Sequence, residues 1–243
     1  MTIRLTLKCS EFCKHCLVNA LPTNNNIDKL TLDNCLKLLK YINPEFVNLS
    51  GGEITEMQNW YEIINYIINY ISKNNLRTKL IVLSNGSFLQ KESEKLKMLK
   101  LLEYNYIDLL YISTNKKFYK NFEKISELLK TFKSEKLKIN LNNRLNNLKN
   151  LGRAKNLNVN LNTTTSCNLC NLQIKKYHKN LKDFFNLIPS LNCSPMINID
   201  GNIYLGWSNE CVSIGNINYN TYNEIYQNIL NYKPCGKCKQ KIS

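Results

Sequence analysis

Short β-leaning runs alternate with apolar-striped helical stretches from residue 3 to about residue 161, and that rhythm leaves few folds open. Strands are expected at 3–7, 46–49, 79–83, 107–112, 137–141 and 157–161. Between them lie helical patterns at 31–42, 58–72, 91–103 and 116–132, with a short one at 142–151. In the first, Thr31 reads as the N-cap, and Leu32, Leu36, Leu39 and Ile42 form one stripe. Strands separated by helices imply right-handed crossovers and a parallel sheet. Five or six such units are too few for a complete eight-unit barrel, which takes roughly 250 residues. The expected fold class is therefore α/β, an incomplete TIM-like barrel of five or six β/α units.

From about residue 162 the rhythm changes. Thr163-Thr164-Thr165-Ser166 is a loop signal. Short runs at 196–199 and 203–205 flank Asp200-Gly201, which predicts a type I′ hairpin. A helix is expected at 221–231, followed by Pro234-Cys235-Gly236-Lys237-Cys238. The predicted division is residues 1–161 as the barrel and 162–243 as a small α+β domain.

Ten cysteines in 243 residues first suggest disulfides. No export signal precedes the first strand, and no apolar run approaches the roughly 20 residues of a membrane span. Three pairs also have C-x2-C spacing: Cys13/Cys16, Cys167/Cys170 and Cys235/Cys238. Such spacing points to metal or redox chemistry in a reducing, oxygen-poor cytoplasm. Cys35 lies on the apolar stripe of its helix and reads as a structural thiol. The net charge of +15 raises the question of nucleic acid. Yet only Arg4, Arg77, Arg144 and Arg153 among the 33 basic residues are arginine, the preferred reader of phosphate and guanine. A solvated face that docks an acidic electron donor fits better.

Cys9, Cys13 and Cys16 sit in the run C-S-E-F-C-K-H-C directly after the first strand, where parallel α/β folds collect their active sites. Three thiolates leave one corner of a cubane iron–sulfur cluster open, as a catalytic metal site requires. Gly51-Gly52-Glu53 follows the second strand, with two glycines that allow close backbone approach. A zinc site or a chance cysteine cluster is the alternative. Triad and G-G-E together resemble the radical S-adenosylmethionine (SAM) superfamily. That resemblance implies a SAM-binding 4Fe–4S cluster on the three cysteines. It places His15 near the adenine, Gly51 and Gly52 at the SAM amino group, and Glu53 beside them. Asn85-Gly86 matches the family's strand-three terminus, and Ser113 ends strand four where polar SAM contacts fall; ordinary turn chemistry is the competing account. Arg144 and Arg153 lie near strands five and six, as carboxylate clamps or solvated side chains. Gly152-Arg153-Ala154 resembles a G-R-A element of members with a C-terminal cluster domain.

Cys193, Cys211, Cys235 and Cys238 resemble the ligand set of a "twitch" domain, the shortened SPASM form that binds one auxiliary 4Fe–4S cluster. The longer form has a cysteine five residues after the hairpin glycine, and here that position is Gly206. Cys167 and Cys170 are further candidate ligands. With Cys235 and Cys238 they also show zinc-ribbon arithmetic, although the gap between pairs is long. His178 reads as a surface residue; Trp60 and Trp207 read as packing residues, with Trp207 placed to shield an auxiliary site.

The resemblance implies reductive SAM cleavage and hydrogen abstraction from a substrate C–H bond, in maturation of a ribosomally made peptide. Oxidation of a small sugar or aminocyclitol alcohol is the alternative, and RNA modification a third reading. A flavodoxin- or ferredoxin-type reductant is the implied partner. No leader-binding segment precedes the first strand, so peptide recognition is expected from a separate protein or the cluster domain. No membrane association is expected. A non-catalytic zinc or redox module is the remaining class.

Overall fold

The computed structural model describes residues 1–141, 153, 179–187, 195–206 and 212–232. Its strands are β1 (Thr2–Arg4), β2 (Phe46–Ser50), β3 (Lys79–Ser84), β4 (Ile107–Thr114), β5 (Leu137–Leu141), β6 (Met196–Ile197), β7 (Asn202–Tyr204) and β8 (Ser213–Asn216). Its helices are α1 (Lys29–Ile42), α2 (Trp60–Lys73), α3 (Glu92–Leu102), α4 (Phe122–Thr131), α5 (Leu181–Leu187) and α6 (Tyr222–Leu230). Among the described residues no helix is long and apolar enough to cross a membrane.

All the described strands form one sheet, in the order β5-β4-β3-β2-β1-β6-β7-β8. From β5 to β6 the pairs are parallel; β6, β7 and β8 are antiparallel. The architecture is thus α/β with a mostly parallel central sheet. The C-terminal hairpin is part of it, because β6 pairs directly with β1.

Residue alternation sorts the sheet into two faces. Ile3, Val47, Leu49, Leu80, Val82, Leu110, Ile112, Ile197 and Ile203 are all at 0% exposure and form the apolar face. Ile64, Ile67, Ile68 and Ile71 bury the facing stripe of α2 at helical spacing. Each such side chain contributes roughly 1.5–3 kcal/mol on burial. Register places Asn48, Ser50, Tyr111, Ser113 and Asn140 on the opposite face. There the Asn140 Nδ2 donates to the Tyr111 hydroxyl at 2.5 Å.

Several boundaries differ from the sequence expectation for local physical reasons. Asp28, not Thr31, caps α1, its carboxylate accepting the Thr31 N–H at 2.7 Å. Strand β4 runs on through Thr114 because Ser113 and Thr114 pair with Asn140 and Leu141. Helix α4 starts at Phe122 because Asn115 diverts the chain into turns: its carbonyl accepts from Phe118 and Tyr119 at 3.1 and 3.0 Å. The type I′ hairpin is corrected as well. Asn198 O accepts from Gly201 N at 2.9 Å, and Gly201 alone takes a positive φ, 81°, where type I′ would need two such residues. The expected short helix at 142–151 and the strand at 157–161 lie outside the described residues.

Candidate active site at the C-terminal edge of the sheet

Beyond β1 the chain leaves the sheet and folds back along itself. Leu5 N still donates to Ser50 O at 2.8 Å, but Thr6 bridges Asn26 in antiparallel fashion. Leu7 N donates to Asn25 O, Leu21 N to Leu7 O and Cys9 N to Leu21 O. The segment between Cys9 and Leu21 is therefore a loop on a two-ply stem, held over the strand termini. It carries all three N-terminal cysteines, which are free thiols. Cys16 N donates to Cys13 O at 3.1 Å, and Ala20 N donates to Cys16 Sγ at 3.4 Å.

Cys9 and Cys13 are each 8% exposed, and burial pushes both thiols up to about 12. Arg153 works against that rise at Cys13. A metal cation bound at the loop would compensate that burial and favour the thiolates.

Gly51 and Gly52 lie against the root of the loop. Gly52 N donates to Thr6 O at 2.9 Å and Glu53 N to Lys8 O at 2.7 Å. A Cβ on Gly52 would stand 2.2 Å from Lys8 O, and one on Gly51 would stand 2.9 Å from Thr6 O. The close approach that these glycines permit is thus to the chain's own backbone, which locks the second motif to the first.

Glu53 is fully buried. Its carboxylate accepts from Thr55 N and Oγ1 at 3.2 and 2.8 Å, from Ser84 Oγ at 3.0 Å, and from Asn85 N at 2.7 Å. Burial pushes its carboxyl above the ordinary range, and these donors pull it back. Asn85 is fixed in turn, since its Oδ1 accepts from Ser87 N at 2.8 Å. That assignment leaves the amide NH2 facing Cys9, with Nδ2 3.8 Å from Sγ.

His15 stacks on Phe118, centroids 4.4 Å apart at 30°, and meets Tyr119 at 5.5 Å. Burial, with a smaller contribution from Arg153, lowers His15 to about 4, so the imidazole is neutral. Its Nδ1 is buried without a described partner. Glu11, 2% exposed, accepts from Asn121 Nδ2 at 2.6 Å through Oε1, while Oε2 is buried without a described partner. Ser10 N and Oγ donate to Glu56 Oε1 at 2.9 and 2.7 Å. Beside this link a cavity of about 650 Å³ opens between Ser10, Glu56, Gln58, Gln90, Lys91 and Asn121. Its size suits a small polar ligand.

Of the residues singled out by sequence, Cys9, Cys13, Cys16, His15, Gly51, Gly52, Glu53, Asn85 and Arg153 are brought together. Ser113 stands within β4 on the half-buried face, one residue before Thr114, whose hydroxyl is buried without a described partner. Arg144, Cys167, Cys170, His178, Cys193, Trp207, Cys211, Cys235 and Cys238 lie outside the described residues. Sequence reasoning missed Glu11, Glu56, Phe118, Tyr119 and Asn121. The aromatic pair following strand four was the one available signal.

Among the described residues no three His, Cys, Asp or Glu side chains converge as on a single metal ion. A cubane asks for a different arrangement, one thiolate at each of three separate irons. Three free thiols on one loop, two of them buried, fit that donor set.

No family model matches the chain, and no curated protein matches it in sequence. Solved structures do. BtrN in complex with AdoMet and 2-DOIA aligns at TM-score 0.59 and 15% identity, covering 95% of this chain and 83% of that one. Native anSMEcpe with bound AdoMet and Cp18Cys peptide aligns at 0.58 and 15%, covering 98% and 83%. The same enzyme with Kp18Cys peptide aligns at 0.57 and 17%, covering 99% and 84%. Both are radical SAM enzymes. The chain has their fold. With so few identical positions the alignment carries architecture, and the chemistry rests on the loop and its neighbours.

Proposed function

We propose that the chain is a radical SAM enzyme that removes a hydrogen atom from a substrate C–H bond. The observation that carries this reading is the bridge from Gly51-Gly52-Glu53 through Asn85 to Cys9, which joins three sequence-distant elements around one loop of free thiols. A 4Fe–4S cluster held there would supply one-electron reductive cleavage of SAM, the electron coming from a reduced flavodoxin or ferredoxin. Cys9, Cys13 and Cys16 would hold the cluster. Ser113 and the backbone of the Gly51-Gly52 segment would meet SAM, and neutral His15 on Phe118 would offer the adenine a flat apolar wall. Glu53 acts at one remove, by fixing Asn85.

The substrate we assign is a peptide, as in the anSMEcpe complex with Cp18Cys peptide. The second reading is a small-molecule alcohol, favoured by the equally good superposition on BtrN with 2-DOIA. In this reading the sheet is the wall of a partial barrel. Cys193, Cys211, Cys235 and Cys238 would hold an auxiliary cluster in a twitch-like C-terminal unit, with Cys167 and Cys170 as further candidates. A flavodoxin or ferredoxin docked on the basic surface would deliver the electron to the cluster.

Anaerobic reconstitution tests this. About eight irons per chain are expected for two clusters, or about four for the N-terminal cluster alone. Incubation with SAM and dithionite should then yield 5′-deoxyadenosine. Stoichiometric zinc with no iron would reject the reading.

A further inference from the structure

Arg153 reaches the cysteine loop from a point 140 residues along the chain. Its Nε donates to Cys13 O and its Nη1 to Ala20 O, both at 2.9 Å. Its backbone N–H donates to Cys16 O, also at 2.9 Å. The guanidinium carbon lies 4.4 Å from the centroid of the Phe12 ring. Phe12 has a φ of 47°, a left-handed conformation that a residue with a Cβ adopts only under strain, and the residue is 51% exposed. One side chain thus holds two carbonyls that span the third cysteine and covers the strained residue between the first two.

We propose that Arg153 is a positioning residue that clamps the cysteine loop in its ligating shape before any cluster arrives. Only a guanidinium can do this here. Its planar fork serves two carbonyls at once while its face stacks on the ring, whereas an ammonium offers a single point charge. The contacts spent on the loop distinguish this role from a carboxylate clamp on SAM. The inference deepens the radical SAM reading, since the loop it shapes is the proposed ligand loop.

Hydrogen exchange on the cluster-free full-length chain tests it without depending on turnover. Arg153→Gln should speed exchange of the Cys9, Cys16, Ala20 and Leu21 amides by about tenfold or more, as expected for two lost charge-assisted bonds. Amides of β3 and α2 should keep their protection. Arg153→Lys should restore only part of it. Iron uptake on reconstitution should fall in the same order. Phe12→Ala, which removes the ring but no carbonyl, should loosen the loop less, and its effect should be absent in the Arg153→Gln background. Unchanged loop exchange and full iron content in Arg153→Gln, with or without weaker SAM binding, would overturn the clamp. A parent protein that takes up no iron would sink the radical SAM reading instead, while the exchange data still judge the clamp.

Discussion

The carboxylate of Glu53 accepts the backbone N–H of Asn85 at 2.7 Å, and through that bond the end of β2 dictates where the end of β3 presents its amide to Cys9. Glu53 is thus an internal brace. Its replacement tells this role apart from direct ligand contact. Glu53→Ala strands the donors on Asn85, Ser84 and Thr55, and should cost about 3 kcal/mol, read by urea unfolding of the cluster-free protein. Glu53→Gln keeps an acceptor and should cost less. A stability loss below about 0.5 kcal/mol for the alanine variant would contradict the brace.

Asn85 donates to a sulfur that we assign to the cluster, and hydrogen bonds to such sulfurs raise reduction potentials. Asn85→Asp has the same shape but no donor. The midpoint potential of the reconstituted N-terminal cluster should move to a more negative value, followed by redox titration with EPR detection. A potential unmoved by the change would remove Asn85 from the cluster's surroundings.

Gly52→Ala puts a methyl group 2.2 Å from Lys8 O, where the obstacle is backbone that cannot swing away. A loss of about 3 kcal/mol or more is expected, visible as a lower Tm. Gly51→Ala first meets the Thr6 methyl at 2.7 Å, a side-chain atom, and should be milder unless the Thr6 carbonyl at 2.9 Å is also forced to move. Equal Tm values for Gly52→Ala and the parent would contradict this packing.

Cys9, Cys13 and Cys16 should behave as a set, and Cys35 should not join them. Replacing the three by alanine should remove about four irons per chain and abolish 5′-deoxyadenosine formation. Cys35→Ala, at a fully buried site on α1, should lower stability by about 1 kcal/mol and leave the iron count alone. Iron analysis of both variants separates ligand from filler.

Asp28 caps α1, and its bond from the Thr31 N–H lowers its pKa from the ordinary value. A carboxyl with a depressed folded-state pKa contributes stability above the unfolded value, near 3.9, and loses it as the pH falls through the folded value. Asp28→Ala should therefore be about 1 kcal/mol less stable than the parent at pH 7. The gap should narrow as denaturation curves are taken below pH 4, through the folded-state value. Asp28→Asn, which keeps a capping oxygen but not the charge, should fall between the parent and Asp28→Ala at pH 7.

The alternation of strand and helix, the buried stripe of α1 and the span of β5 were legible because local periodicity alone sets which side chains share a face. The cysteine spacing and the glycine pair were legible for a similar reason, since each is a short motif whose chemistry is carried by neighbours in the chain. Boundaries failed where a side chain competed for the backbone. Asp28 took the α1 cap from Thr31, and Asn115, whose Oδ1 accepts from Lys117 N at 2.8 Å, turned the expected start of α4 out of the helix.

What the chain determined by itself is the residue inventory of the site: three thiols on one loop, two adjacent glycines and a carboxylate after the next strand. Only the tertiary structure decided that the glycines face Thr6 and Lys8, that Glu53 serves Asn85, and that Arg153 closes over Phe12. These are contacts between residues tens to more than a hundred positions apart. Their geometry is settled by strand register and by where buried donors must find acceptors, and no local pattern encodes either.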